Sequence, residues 1–284
     1  MTRKSSDSGF LAWCWDGRSL VSHTLGLPLS DRGFRYGQHL FESVAVREGK
    51  ALLALEHLAL LENAARRNGF PFSGALSAAL KRFVASVSLV NGMLRIYLTA
   101  GEGAPGAPIR HAGCYLTWEP THFPTATELA QGFRLTVLQR PFFGDHWGEK
   151  SGNYAEHLKA IAEARANGAN EGIVLDAKGY AISCAMGNLL VWRRTRKGIV
   201  LCTPPLARGA RSGALLGWVK RNHGVLERDL RPADLGKAVA MAVTNSRLGI
   251  MPVSSLDGVI LQDPSLSLAL SHTYLENHGL LRRS

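Results

Sequence analysis

The chain has 284 residues, of which 46% are hydrophobic and 19% charged, which is enough apolar material for one large core or two modest ones. Its formal net charge is +11, but the basic residues are scattered and not interleaved with aromatic side chains, so we expect a small anionic metabolite as partner and no nucleic acid. No apolar run is long enough to cross a bilayer, and residues 1–9 are too polar for a signal peptide, so we predict a cytosolic protein with no membrane partner.

Four cysteines occur in the chain, at Cys14, Cys114, Cys184 and Cys202. None is paired at the spacing of a metal site, so we predict free thiols in a reducing compartment and no bound metal.

In the first half of the chain, strand and helix signals alternate. A tight turn at Glu48-Gly49-Lys50 between two apolar runs predicts a β-hairpin with strands at 43–47 and 51–55. The apolar periodicity and the stop signal of Gly69 predict a helix over 56–68. The other predicted elements of this half are a helix over 74–91, a strand over 94–99, a loop over 100–108 and a strand over 114–118.

Prolines and polar residues at 121–130 predict an interdomain linker. Beyond it, strands are predicted at 133–138, 172–175, 189–192, 199–202 and 238–244, and helices at 156–167, 213–223 and 233–236. Strands and helices therefore interleave in both halves, which predicts a mixed α/β (α+β) fold. We expect a smaller N-terminal α/β domain over 1–120 and a larger C-terminal α/β domain over 131–284.

Six groups of short motifs lie in order along nearly the whole chain. They are Asp31-Arg32-Gly33-Phe34-Arg35-Tyr36-Gly37 with Phe41-Glu42 and Glu56-His57; Lys150-Ser151-Gly152-Asn153-Tyr154; Gly168-Ala169-Asn170-Glu171-Gly172-Ile173-Val174-Leu175-Asp176; Met186-Gly187-Asn188-Leu189-Leu190-Val191-Trp192; Thr203-Pro204-Pro205-Leu206; and Thr244-Asn245-Ser246 with Met251-Pro252-Val253. Together they resemble the fold type IV pyridoxal-phosphate family, which contains class IV aminotransferases and aminodeoxychorismate lyases.

The resemblance implies a two-domain fold type IV architecture, a homodimer and pyridoxal 5′-phosphate as cofactor. Lys150 matches the family lysine that forms a Schiff base with the cofactor and then relays a proton between substrate and cofactor. Tyr154 matches a tyrosine that bonds the cofactor's phenolic oxygen. We interpret His39, His57 and Arg110 as candidate substrate contacts and Glu42 as a structural residue.

Three positions depart from the family pattern. Ser183 stands where the family has the glutamate that pairs with the pyridine nitrogen, and Leu60 and Leu215 replace an arginine and a threonine that hold the phosphate. A buried phosphate needs other donors. We name as candidates the donors that remain: Arg211, the backbone amides of Gly213 and Ala214, Asn245 and Ser246.

Three functions follow from this pattern. The first is an aminodeoxychorismate lyase, which eliminates pyruvate to give 4-aminobenzoate and whose product is aromatic, so that a weaker electron sink suffices. The second is an amino-acid aminotransferase of class IV. The third is a paralogue that kept the fold and lost the cofactor, which the three substitutions favour and the retained Lys150 and Tyr154 oppose.

Overall fold

The structure is a computed structural model that describes residues 10–22, 26–141 and 149–281. The described residues form two compact units. The first extends to Phe123 and also includes Glu149–Asn153, and the second contains the described residues from Pro124 onward apart from that segment. The segment that carries Lys150 therefore packs with the N-terminal unit, whereas the sequence assigned it to a domain over 131–284.

A six-stranded antiparallel sheet forms the first unit, in the strand order β2-β1-β6-β5-β3-β4. Its strands are β1 Leu11–Trp15, β2 Leu20–Ser22, β3 His39–Arg47, β4 Lys50–Ala51, β5 Gly92–Thr99 and β6 Gly113–Pro120. Its helices are α1 Arg32–Tyr36, α2 Ala54–Arg67 and α3 Gly74–Ala85.

The core of this unit lies between the sheet and the helices α2 and α3. Alternate residues of β3, such as Leu40, Val44 and Val46, are buried on the helix side. In α2, Leu58 and Leu61 belong to the same apolar cluster, so one face of the helix packs on one face of the sheet. Glu42 is a polar residue on that buried face of β3.

The predicted hairpin is present but is shorter on its second side. Glu48 and Gly49 form a two-residue turn with φ of 49° and 76°, as a type I′ turn requires. The predicted strand 51–55 was wrong beyond Ala51, because Leu53 adopts a left-handed φ of 51° and α2 begins at Ala54.

The second unit contains a nine-stranded mixed sheet in the order β12-β11-β10-β13-β14-β7-β8-β9, with β15 paired to β14. Its strands are β7 Phe133–Pro141, β8 Glu171–Leu175, β9 Ala181–Cys184, β10 Asn188–Thr195, β11 Gly198–Thr203, β12 Val225–Glu227, β13 Ala240–Asn245, β14 Gly249–Leu256 and β15 Val259–Ile260. Its helices are α4 Ala126–Gln131, α5 Ala155–Ala166, α6 Ala214–Asn222, α7 Pro232–Leu235 and α8 Ser265–Asn277.

Several boundaries differ from those expected. The helix predicted over 74–91 ends at Ala85, where the Ser86 hydroxyl donates to the Arg82 carbonyl at 2.9 Å and closes the last turn. The predicted linker 121–130 contains most of α4, which begins with a capping box between Thr125 and Glu128. The mixed α/β fold class is confirmed.

Within the described residues, no helix combines the length and apolar character needed to cross a membrane. The four cysteines are free thiols in the structure. Burial raises the pKa of Cys114 to about 12, so this thiol remains protonated at neutral pH.

Candidate active site

Lys150 lies at the edge of the first sheet. Its carbonyl accepts a hydrogen bond from the Phe41 amide at 2.8 Å, and the Gly152 amide donates to the His39 carbonyl at 2.9 Å. These bonds and a bridge between Leu40 and Ser151 attach the lysine segment to β3 as an additional short strand. The backbone of Lys150 is therefore fixed by a sheet, which positions a side chain more accurately than a free loop does.

The side chain of Lys150 is enclosed, with 14% of its surface exposed. Its Nζ atom lies 4.0 Å from Oε2 of Glu42 and 5.2 Å from the centroid of the Phe41 ring. Oε2 of Glu42 is also 2.7 Å from Nδ1 of His57, and both of these side chains are 5% exposed. A carboxylate only accepts hydrogen bonds, so Nδ1 of His57 carries the proton and donates it.

Two glycines allow the lysine segment to approach β3. A Cβ atom on Gly152 would lie 2.3 Å from the carbonyl oxygen of Gly37 and 2.5 Å from the His39 ring, so only glycine fits there. Gly37 itself has a φ of 66° and ends α1. On the other side of Lys150, the Glu149 carboxylate accepts hydrogen bonds from Arg67 and Asn68 at the end of α2.

The other two predicted substrate residues of this unit have different environments. His39 is half-buried, donates from Nδ1 to the Gly33 carbonyl at 3.2 Å, and packs edge-on against Tyr97. The Phe41 and Tyr97 rings stack at 5.9 Å. Arg110 is exposed on the loop between β5 and β6. His39 thus belongs to the aromatic group beside Lys150, while a role for Arg110 stays a prediction.

In the second unit, Tyr154 precedes α5 and stacks on His157 with ring centroids 4.3 Å apart. His157 is buried and donates from Nδ1 to the Ala185 carbonyl at 2.7 Å. His157 is not among the candidates named from the sequence, although its i, i+3 spacing from Tyr154 predicts that the two side chains lie together. The cofactor role of Tyr154 stays a prediction.

Ser183 is buried in β9, and its hydroxyl donates to the Cys184 carbonyl at 2.8 Å. It supplies no charge to a neighbouring group. A buried carboxylate is present in the neighbouring strand β8, at Glu171, which is 2% exposed. Burial raises the pKa of Glu171 to about 7, although backbone amides of Gly172, Met186 and Ala185 donate to it.

The N-terminus of α6 presents backbone donors. Gly213 is its N-cap residue and no side chain caps it. The Asn188 side chain donates to the Arg211 carbonyl at 2.7 Å, and a Cβ on Gly213 would lie 2.5 Å from Oδ1 of Asn188. Asn188 therefore fixes the turn from Arg211 to Gly213, so that the first amides of the nine-residue helix, beginning at Ala214, point outward together.

A buried hydroxyl lies on the same sheet face as Asn188. Thr244 pairs directly with Asn188 between β13 and β10, and directly opposed side chains of an antiparallel pair lie on one face. Its Oγ1 atom has no hydrogen-bond partner among the described residues. Asn245 is committed to a turn, since it donates to the Met186 carbonyl at 3.2 Å and accepts from the Leu248 amide at 2.8 Å. Ser246 is half-buried.

Comparison with known proteins places this arrangement in a family. A sequence model described as amino-transferase class IV matches residues 39–256, which is more than half of the chain. The chain belongs to the class IV aminotransferase family. Members of this family are pyridoxal-phosphate-dependent aminotransferases or lyases, so the resemblance seen in the sequence is confirmed.

Class IV relatives of both kinds are similar to this chain. An aminodeoxychorismate lyase of Vibrio harveyi is 27% identical over 81% of this chain and 87% of its own length. The crystal structure of 4-amino-4-deoxychorismate lyase from Pseudomonas aeruginosa is 29% identical with a TM-score of 0.76, and the match covers 95% of this chain and all of that one. A branched-chain aminotransferase from Thermoproteus uzoniensis has a TM-score of 0.80 at 23% identity, covers 93% of both chains and supports the fold alone.

Each unit by itself contains groups whose chemistry suits part of the class IV cofactor. In the first unit, Lys150 offers an enclosed amine. In the second unit, the N-terminus of α6 offers backbone donors suited to a phosphate, and the hydroxyl of Thr244 is buried without a partner among the described residues. The substituted positions add no side-chain donors, since Leu60 is half-buried on α2 and Leu215 is buried in the first turn of α6. Ser183, at the position of the family glutamate, offers a hydroxyl and no carboxylate.

Proposed function

We propose that this chain is a pyridoxal-phosphate-dependent lyase of the aminodeoxychorismate type, which releases pyruvate and leaves 4-aminobenzoate. The observation that carries the proposal is the enclosed amine of Lys150, which lies beside Glu42 and over the Phe41 ring. An ordinary surface lysine would be largely hydrated. A cytosolic homodimer that acts on a small anionic metabolite is part of the same proposal, and the exposed apolar side chains of Leu29 and Phe34 support association with a second chain.

When bound, pyridoxal phosphate supplies an aldehyde for amines and a ring that accepts electrons from the substrate's α-carbon. The chain's own residues supply the base and the phosphate donors. Lys150 takes the proton from the amine-bearing carbon of the substrate, and the amides at the start of α6 hold the phosphate. Ser183 cannot balance a charge on the ring nitrogen, so the residues here support a weaker electron sink than a carboxylate would.

A cofactor ring that withdraws electrons only weakly is better suited to the lyase reaction than to amino transfer. In the elimination, the carbon–oxygen bond to the enolpyruvyl group breaks, the leaving group takes up a proton to become pyruvate, and the six-membered ring becomes aromatic. Formation of the aromatic product lowers the energy barrier of the elimination, so the reaction depends less on electron withdrawal by the pyridine ring of the cofactor. Two of the proteins similar to this chain are lyases, and aminotransferases are similar to it at a comparable level of identity.

An aminotransferase is the second candidate. A putative branched-chain-amino-acid aminotransferase from Methanocaldococcus jannaschii is 24% identical over 87% of this chain, which favours it. This reaction needs a cofactor that stays bound through two half-reactions, and Leu60 and Leu215 weaken its anchoring. The third candidate, a cofactor-free paralogue, is favoured by the same two residues together with Ser183.

One experiment separates the three candidates. The purified protein is mixed with pyridoxal phosphate, its visible absorption is recorded, and borohydride-treated samples are digested for mass spectrometry. We expect a yellow protein with the reduced adduct on Lys150, and no adduct in Lys150→Ala. Release of pyruvate from aminodeoxychorismate without an added 2-oxo acid identifies the lyase, and dependence on a 2-oxo acid identifies the aminotransferase. A colourless protein without an adduct refutes both.

A further inference from the structure

Glu42 was interpreted from the sequence as a structural residue, but its contacts point to a further role. We propose that Glu42, held by His57, is the counter-ion of Lys150 and positions its ammonium group. The inference deepens the proposed function and rests on it only in taking Lys150 as the reactive amine. Glu42 is a positioning residue, because it acts through Lys150.

One carboxylate oxygen makes both contacts. Oε2 of Glu42 is 2.7 Å from Nδ1 of His57 and 4.0 Å from Nζ of Lys150. The shorter contact is a hydrogen bond and the longer one is an ion pair without a direct hydrogen bond. His57 therefore fixes the carboxylate, and the fixed carboxylate attracts the ammonium group.

The sheet supplies a second attraction from the neighbouring residue. Phe41 and Glu42 are consecutive in β3, so their side chains point to opposite faces of the strand. Lys150 lies at the strand edge, where it reaches both, with Nζ 5.2 Å from the Phe41 ring centroid. A cation at this distance from a ring face is attracted by the ring. The ammonium group is thus held between a carboxylate and an aromatic face.

The charges explain why this arrangement suits a lysine that carries protons. An ammonium group that is only 14% exposed needs a partner, because burial of an unpaired charge is costly. An opposite charge within about 4–6 Å favours the charged form. When Lys150 takes a proton from a substrate carbon, the ammonium that forms is balanced by Glu42. Glu42→Gln removes this negative charge while the size of the side chain is kept.

Amine acylation measures the charge on Lys150 directly, without cofactor or substrate. Cofactor-free protein is treated briefly with acetic anhydride at about pH 8, and mass spectrometry gives the acetylation rate of each lysine, since only neutral amines react. We expect Glu42→Gln to raise the rate at Lys150 about 10-fold and Glu42→Asp to bring it back toward the native value. Lys220, whose side chain is 27% exposed and paired with Glu227, is the internal reference.

Glu227→Gln is the matched control, because it removes the partner of a more exposed lysine. We expect less than about a 3-fold change at Lys220, since exposed pairs contribute little. A Lys150 rate in folded Glu42→Gln within about 2-fold of the native rate would overturn the inference. Equal increases in the acetylation rates of Lys150 and Lys220 in Glu42→Gln would also overturn the inference, because they would indicate a general loosening of the fold.

Where Glu42→Gln does not fold, Glu42→Asp and Glu42→Asn give the same comparison of charged and neutral side chains. Equal Lys150 rates in these two variants would contradict the inference. The result is separate from that of the proposed function. A protein that stays colourless with pyridoxal phosphate can still show the Glu42 effect, and a coloured protein can lack it.

Discussion

Glu171 gives a sharp prediction about stability and pH. Its carboxyl group is almost completely buried in β8, and burial raises its pKa from 4.5 to about 7. The Gly172 amide donates to it at 3.0 Å, but this and the other backbone donors do not offset the loss of hydration. The folded protein therefore retains a proton on Glu171 at pH values where the unfolded chain has lost it.

The sign and size of the effect follow from this difference. Between pH 4.5 and about 7 the folded state binds more protons than the unfolded state, so the free energy of unfolding falls as the pH rises. At about 1.4 kcal/mol per pH unit, the full contribution of Glu171 is roughly 3 kcal/mol, which is present below pH 4.5 and lost by about pH 7. The pKa values of Asp176 and Glu227 are lowered, so their effects run in the opposite direction and lie at lower pH.

Glu171→Gln tests this reasoning because a neutral amide has no such titration. Urea unfolding of both proteins is measured at pH 5 and pH 8, and the change between the two pH values is compared. We expect native stability to fall by about 2–3 kcal/mol more than that of the variant. Groups other than Glu171 cancel in this comparison. Equal changes in the two proteins would refute the raised pKa and its cause.

Three further predictions concern the groups around the candidate site. Gly152→Ala should lower stability by about 1–3 kcal/mol and reduce adduct formation at Lys150, because its Cβ would collide with the Gly37 carbonyl; thermal unfolding and borohydride trapping measure the two effects. Arg32→Lys should cost about 2–3 kcal/mol in urea unfolding and increase proteolysis within 100–107, because the buried guanidinium donates to the carbonyls of Ala100, Gly101 and Ala107. Thr244→Val removes a buried hydroxyl that has no partner among the described residues, so it should stabilise the cofactor-free protein by about 1 kcal/mol and weaken pyridoxal phosphate binding roughly 10-fold. Calorimetry and absorbance titration measure the two effects, and Thr244→Ser should change both much less.

Much of the fold could be predicted because its signals are local. The Glu48-Gly49 turn and the apolar face of α2 follow from turn chemistry and periodicity, and both are present in the structure. The strand β14 and the helix α8 were missed. β14 is buried along almost its whole length, so its residues do not alternate, and α8 is apolar on more than one side, which obscures the helical period.

The capping box of α4 shows a different kind of error. Thr125 and Glu128 have the spacing that begins a helix, but Pro120 and Pro124 on the preceding side favoured the interpretation of a linker. Proline is tolerated just before a helix, so the capping-box spacing of Thr125 and Glu128 is the stronger signal at this position.

The sequence indicates which residues are candidates for the site, but not which of them contact each other. Lys150 could be selected from its motif, and Ser183, Leu60 and Leu215 could be identified as substitutions. That Glu42 and His57 meet could not be derived, since they are 15 residues apart on a strand and a helix and meet only when α2 packs on β3. Sequence periodicity places both on buried faces and leaves their partners unspecified.

The two most buried glutamates near the predicted site residues differ in one decisive respect. Glu171 is surrounded by backbone amides and burial raises its pKa to about 7, so a proton is the simplest way to neutralise it. Glu42 has a histidine at 2.7 Å and a lysine ammonium at 4.0 Å, so its charge is balanced by side chains that can themselves exchange protons. A carboxylate beside a reactive amine influences the charge of that amine, whereas the charge of a carboxylate bonded to backbone amides changes only with pH. We therefore expect Glu42 to affect the reactivity of Lys150, and Glu171 to affect the stability of the sheet that carries Ser183.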